Sequence, residues 1–445
     1  MVEFNWRQFP ETQQWVDRMV RTAVDALPFL NDLESRLQTR TGTQLGDWID
    51  CLELGRERVS EDELLEFGFE RFEQSDADDW HHSGGLFPRI RLVDGDPVHV
   101  ALKVESVSNF LFVHRLPSAI DGAIGGPIRR ALVAEEGTVA LSVIERHGCL
   151  DFYPSYVNDN RIAAANRIFE SFLLRQRDFD TEEQGFDEAI RISRMAIDEI
   201  GIDWACSLFF AAERDYWQSR NRAARMQAER QNVLGFGWAN HDHHTYRCSR
   251  EHFARLVEVL ELLGMECRER FYGGAEAGWG AQVLEQSVAG IVVFADVDLS
   301  AEELSGDFAH NGLEPQPELG TVGLWCKLHG EAILQAGMHH LECQFSFLDA
   351  REQLNDLGVE SMAPFTDFDH LKQSFTKGER WQVAEKRLQS AIDRGWIDRD
   401  QADRFRKNGS IGSHLEILQR WNGYKGFNQT GISEIIRKTD PRQQA

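Results

Sequence analysis

GWANHDHHTYRCSREHFARLVEVLELLG, residues 237–264, changes period near its middle. NHDHHTYR (240–247) reads as a strand, and REHFARLVEVLELLG (250–264) as an amphipathic helix stopped by Gly264. MECRERFYGG, GAQVLEQ and GIVVFADVDL follow as three strands, which makes a βαβββ unit over about 235–300. A second unit spans about 335–425. Here GMHHLECQFS reads as a strand, LDAREQLNDLG as a helix ended by Gly358, VESMAPF as a strand and SIGSHLEILQRW as a late strand, with a charged helical insertion at about 367–408. Each unit is too small to close a core alone, so the pair predicts one cupped mixed sheet.

Outward from this stretch, GFG at 235–237 marks a boundary. The expected organisation is an N-terminal helix-rich α+β domain over 1–232 and a metal-type domain over 233–440, an α+β chain overall. The first 80 or so residues read as acidic helices. Short β-type runs from about 89 to 154 suggest a small antiparallel sheet, and helices return with Asn160 and Thr181 as N-cap candidates. The histidine pair at 81–82 and HGC at 147–149 read as loops.

Composition narrows the function classes. A formal charge of -25 over 445 residues argues against nucleic acid, whose phosphates need clustered Lys and Arg. No run approaches the length of a membrane span, and the start lacks a basic, apolar leader, so a cytoplasmic protein is expected. Seven cysteines (51, 149, 206, 248, 267, 326 and 343) show no CxxC spacing and indicate neither a disulfide framework nor a zinc knuckle. A homo-oligomer is compatible with all of this.

Strand alternation sorts the histidines. His241, His243, Thr245 and Arg247 are expected on one face, with Asp242, His244 and Tyr246 on the other. In the second unit Leu341, Cys343, Phe345 and Phe347 form the apolar face, which leaves His340, Glu342 and Gln344 facing the cup. His414 and Glu416 share a face, backed by Leu415 and Ile417. His243, His340 and Glu416 would then form a facial triad of two histidines and a carboxylate, which leaves open positions on a metal. Arg247 would hold a substrate carboxylate bidentately. Asp296 and Asp298 are rival carboxylate ligands, Gln282 or Asp296 a candidate fourth ligand, and His241, His244 and His339 supporting or surface groups. A solvated histidine is the ordinary fate of each such residue taken alone; the repeat raises His243 and His340 above that.

These motifs resemble the vicinal oxygen chelate superfamily. Within it the chain is similar to the 2-oxoadipate dioxygenase/decarboxylase (hydroxyglutarate synthase) family. The resemblance rests on His243-His-Thr-Tyr-Arg247 followed by a helix ending in Gly264-Met265, on His339-His340-Leu341, where the family has Asn before its histidine, and on Leu415-Glu416-Ile417-Leu418-Gln419-Arg420. It covers about 235–440; in the family the metal part begins close to the N-terminus, whereas about 230 residues precede it here. The resemblance implies Fe(II) chelated by a small 2-oxo acid and oxidative decarboxylation with dioxygen. A lyase or isomerase of the glyoxalase kind using Zn(II), Ni(II) or Mn(II), and a non-catalytic metal- or ligand-binding protein, are the competing expectations.

Overall fold

The computed structural model describes residues 6–72 and 77–443. Two mixed sheets, one of seven strands and one of nine, form an α+β molecule with helices packed around them. The C-terminal sheet is built from β8 (His241–Arg247), β9 (Glu266–Tyr272), β10 (Trp279–Gln286), β11 (Ile291–Asp298), β12 (His340–Gln344), β13 (Thr366–Phe368), β14 (Leu371–Phe375), β15 (Glu379–Trp381) and β16 (Ser410–Arg420). Its order is β13-β14-β16-β12-β8-β11-β10-β9, with β15 paired to β16. The first strands of the two βαβββ units, β8 and β12, therefore lie side by side and antiparallel at the centre, each flanked by its own unit's last strand in parallel. The tandem arrangement read from the sequence is present.

The helix Phe253–Leu262 buries Phe253, Leu256, Val257, Val259 and Leu260 against the back of this sheet, in the same core as Leu341, Cys343, Leu415 and Ile417. The second unit differs from expectation. VESMAPF contributes only a bridge from Ser361 to Thr376, and the hairpin β13-β14 falls inside the stretch read as a helical insertion; only Glu385–Asp393 and Arg399–Asn408 are helical there. The charged, turn-like TDFDHLK masked a strand pair of three and five residues, whose buried positions, Thr366, Leu371, Gln373, Ser374 and Phe375, do not alternate cleanly.

The N-terminal sheet comprises β1 (Ile49–Gly55), β2 (Phe69–Arg71), β3 (Asp79–His82), β4 (Arg89–Val93), β5 (Val98–Lys103), β6 (Ile128–Glu136) and β7 (Val139–Arg146), in the order β2-β3-β4-β1-β5-β7-β6. The sheet is mixed, since β1–β4 and β5–β7 are parallel, and it is larger than the small antiparallel sheet expected. CLELG reads as helical by composition yet forms its central strand, because Leu52 and Leu54 are enclosed by the core. His81 and His82 lie on β3 rather than in a loop. Asn158, not Asn160, caps the helix Asp159–Leu173, while Thr181 caps Glu182–Ile200 as expected.

This sheet repeats the topology of the other. β1, the helix Glu61–Glu66, β2, β3 and β4 form a βαβββ unit; β5, the helix Val107–His114, β6 and β7 form a second that is one strand short. The first strands β1 and β5 are again adjacent and antiparallel at the centre. The register repeats too. A bulge at Asp50 in β1 matches one at Asp242 in β8. Asp50 pairs with Arg146 at the end of β7, as Asp242 pairs with Arg420 at the end of β16.

Candidate metal centre

Three adjacent strands bring the site together. Glu342 on β12 is in register with His243 on β8 and with Glu416 on β16; His340 lies two residues before it on the same face. His243, His340, Glu342 and Glu416 offer ligand atoms that all lie within 4.8 Å of one another, and all four are buried. His243 Nε2 is 2.7 Å from Glu342 Oε2, and His340 Nε2 is 3.0 Å from Glu416 Oε2. The three residues expected from the sequence do converge. Glu342 was read as facing the cup but given no role; its signal was the His-x-Glu spacing, which places both side chains on one face of a strand.

The β8 bulge corrects the alternation reading. A bulge sets two residues against one, which resets the facing of everything before it. Asp242 therefore joins His243 in the site, while His241 turns to the opposite side, its ring 5.2 Å from that of His244. Asp242 Oδ2 accepts from His243 Nδ1 at 3.1 Å. Arg420 donates to the same carboxylate from Nε (3.3 Å) and Nη2 (3.2 Å), and Gln344 Nε2 adds a third donor at 3.2 Å. Asp242 holds the Nδ1–H of His243, while Nε2 faces Glu342 in the cup; once Nε2 gives up its proton the ring has the tautomer a metal ligand requires. His340 Nδ1 contacts His339 Nδ1 at 2.8 Å, and Gln373 Nε2 donates to Glu416 Oε1 at 3.2 Å.

Electrostatics point the same way. Burial pushes the Glu416 carboxyl well above its usual range, and the neighbouring Glu342 adds to the effect. Burial and the adjacent His243, His414 and Arg247 hold His340 well below the ordinary imidazole range, neutral and free to ligate. For His243 burial acts downward, but Glu342 and Asp242 outweigh it and raise the ring to about 9. Glu342 Oε1 is buried without a hydrogen-bond partner. Arg420 Nη2 stands 3.7 Å from that oxygen, and a cation bound between Glu342 and Glu416 would favour the charged form of Glu416 that burial opposes.

Neither rival carboxylate belongs to the four-residue cluster, although Asp296 lines the same cavity. Asp298 accepts from the backbone N–H groups of Gly320, Val322 and Gly323 at 2.8, 3.0 and 2.8 Å, at the start of the helix Thr321–His329. Asp296 is in register with Arg247. The register counterpart of Glu416 in the first unit is Phe294, which pairs with Thr245 as Glu416 pairs with Glu342; its ring lies 4.4 Å from His243. Gln282 donates to the Glu269 and Val283 carbonyls. The N-terminal sheet has Cys51, His99, Ala101 and Ser142 at the positions of His243, His340, Glu342 and Glu416. It keeps one histidine, whose Nε2 lies 2.8 Å from Ser142 Oγ, and neither carboxylate.

Arg247 lines the same cavity as the four candidate ligands, together with Thr245 and Asp296. It is 2% exposed, its Nε has no hydrogen-bond partner, and its guanidinium sits 5.7 Å from the Trp325 ring centroid. Burial raises the Asp296 carboxyl to about 7 against the lowering pull of Arg247 and His243. The cavity is only about 30 Å³ and is lined on its outer side by Phe365, Phe427, Ile432 and Ile436, space for about two waters.

No protein-family model matches the sequence, and no curated protein does. Among solved structures, a triple mutant of 4-hydroxymandelate synthase from Streptomyces coelicolor is 13% identical, covering 77% of this chain and 98% of that one, at a TM-score of 0.30. A protein of Ralstonia eutropha JMP134 named for the glyoxalase superfamily is 12% identical over 60% of this chain and 97% of that one, TM-score 0.32. A Shigella flexneri protein that includes domain DUF1338 is 14% identical over 63% and 84%, TM-score 0.26. At such scores these likenesses carry no weight for the fold or the activity. No described helix is long and apolar enough to cross a membrane.

Proposed function

We propose that this chain is a non-haem Fe(II) dioxygenase that decarboxylates a small 2-oxo acid, with His243, His340 and Glu416 as metal ligands and Arg247 holding the substrate carboxylate. The observation that carries the reading is the convergence of two histidines and a carboxylate in a buried cup that also contains a guanidinium without an ion-pair partner among the described residues. His243, His340 and Glu416 would hold the iron through three side chains and leave the rest of its coordination open to a small ligand. When bound, the iron supplies electrons to dioxygen and a template for the oxo acid.

The chain's own groups do the rest. Arg247 binds and orients the carboxylate end of the substrate, and its burial makes that ion pair strong. Asp242 and Arg420 fix the His243 ring. Glu342 lies between His243 and Arg420, whose Nη2 is 3.7 Å from Glu342 Oε1, and balances their charge. Phe294, Phe365 and Phe427 exclude water. The motifs shared with the 2-oxoadipate dioxygenase/decarboxylase family support this choice of substrate class.

Anaerobic purification with metal analysis, followed by oxygen uptake against a panel of 2-oxo acids, tests it. Iron with substrate-dependent uptake is the expected result; zinc with no uptake overturns it. Glu342 favours a second reading. If it ligates as well, less of the coordination stays open, and a lyase or isomerase using Zn(II), Ni(II) or Mn(II) fits better.

A further inference from the structure

A second, larger cavity of about 450 Å³ lies between the two sheets, lined by residues at both bulged first strands, Asp50 of β1 and His241 of β8. It is on the far side of β8 from the metal centre, since the bulge at Asp242 sends His241 and His243 in opposite directions. Its volume suits a small metabolite, fifteen times the space beside the candidate ligands.

The charges around it do not cancel. Arg146 and Asp50 satisfy each other at 2.9 Å, with Arg89 at 3.9 Å from the same carboxylate. Arg214 is 9% exposed, and its Nε has no hydrogen-bond partner; Glu105 Oε1 stands off at 3.8 Å, and Nη1 contacts His244 Nε2 at 3.3 Å. Lys103 has no ion-pair partner within 4.0 Å among the described residues. His241 Nδ1 is buried and unpaired. Asp215 and Glu105 are the remaining acids of the lining, so four basic residues, Arg89, Lys103, Arg146 and Arg214, stand against three acids; burial raises the Asp215 and Glu105 carboxyls and lowers Lys103 and His241 alike. Beside these donors stand the flat apolar walls of Trp204, Trp238 and Phe169.

We propose that this cavity is a binding site for a small organic oxyanion with a flat apolar body, its anionic group met by Lys103, Arg214 and His241 and its body by Trp204 and Trp238. Lys103 is a half-buried cation with no acid in ion-pair reach among the described residues, and Arg214 Nε and His241 Nδ1 beside it are buried without partners; an anionic acceptor in the cavity would be held by charge-assisted hydrogen bonds. The aromatic walls contribute the rest by burial and stacking. The site is independent of the metal reading, because none of its residues is a candidate ligand.

Phenyl phosphate is the probe, titrated calorimetrically into the full chain. One saturable site is expected, weakened about tenfold or more by Lys103→Met, lost in Ala211→Phe, which fills the cavity with every charge kept, and retained in His340→Ala. Phenol, with the same body and no charge, should bind at least about tenfold more weakly. Absence of saturable binding, equal affinity in Lys103→Met and Ala211→Phe variants that melt like the parent, or loss in His340→Ala would each overturn the assignment. The last would move the anion to the metal centre.

Discussion

His243 Nε2 faces Glu342 Oε2 at 2.7 Å across the β8–β12 pair, at the same register level where Glu342 faces Glu416. The contact places a carboxylate where a metal would draw on the same imidazole nitrogen. In the three-ligand reading that carboxylate yields to the metal and stays beside it. Glu416→Gln is therefore expected to lose bound metal, and Glu342→Gln to keep close to one equivalent. Plasma emission analysis of anaerobically purified variants decides it. Metal retained in Glu416→Gln sinks the assignment of that ligand, and metal lost in Glu342→Gln replaces the triad by a four-ligand set.

In the proposed site Asp242 would act on the metal through His243. It fixes which ring nitrogen carries the proton, and Arg420 in turn fixes Asp242. Asp242→Asn keeps the shape but can present its amide nitrogen to His243 and loses the charge. Metal affinity is expected to fall by about 10- to 100-fold, measured by competition with a chelator dye, while the melting temperature at saturating metal stays close to that of the parent. Unchanged affinity would reduce Asp242 to a structural partner of Arg420.

How much of this was legible in sequence follows from the lengths over which patterns repeat. The βαβββ order showed because the helix at 253–262 has a full apolar face and its strands are separated by glycine turns. Phe345, Leu341 and Ile417 located the core side of their strands, and His340 and Glu416 lie on the opposite face, as that pattern implies. A bulge has no signature of that kind: one extra residue, Asp242, reversed the expected positions of His241 and Asp242. The N-terminal repeat was hidden for a different reason. β2 has three residues and β3 four, too short to display a period of two, and the corresponding metal positions carry Cys51, Ala101 and Ser142, so no ligand motif announces the second copy.

The closed cup makes a kinetic prediction. Ile436 lies on the helix Gln429–Lys438 and lines the cavity with Phe427 and Ile432. Truncating it leaves the ligands in place and opens a path to solvent, with a stability cost of about 2–5 kcal/mol for a buried Ile→Ala change. Ile436→Ala should release its metal to excess chelator faster than the parent, at similar equilibrium affinity. Identical release rates would show that exchange occurs by another route.

Glu331 provides a pH test away from the ligands. It is 2% exposed; its Oε2 accepts the Ser249 N–H at 2.8 Å, and its Oε1 is 3.4 Å from His252 Nδ1. Burial alone would raise this carboxyl, but His252 and Lys327 outweigh burial and lower it from 4.5 to about 2. A depressed carboxyl stabilises the fold above its unfolded value and loses that contribution as pH falls toward the folded one, here between 4.5 and about 2. The size is on the order of 3 kcal/mol. His252, raised by Glu331 and Glu183 despite burial, behaves in the opposite sense, losing its contribution as pH rises through its folded value. The stability gap between the parent and Glu331→Gln, read from urea unfolding, should therefore be largest near pH 5–6, shrink steeply toward pH 3, and narrow again when His252 deprotonates. A gap that stays constant from acid to neutral pH would mean that Glu331 contributes through packing and hydrogen bonding alone.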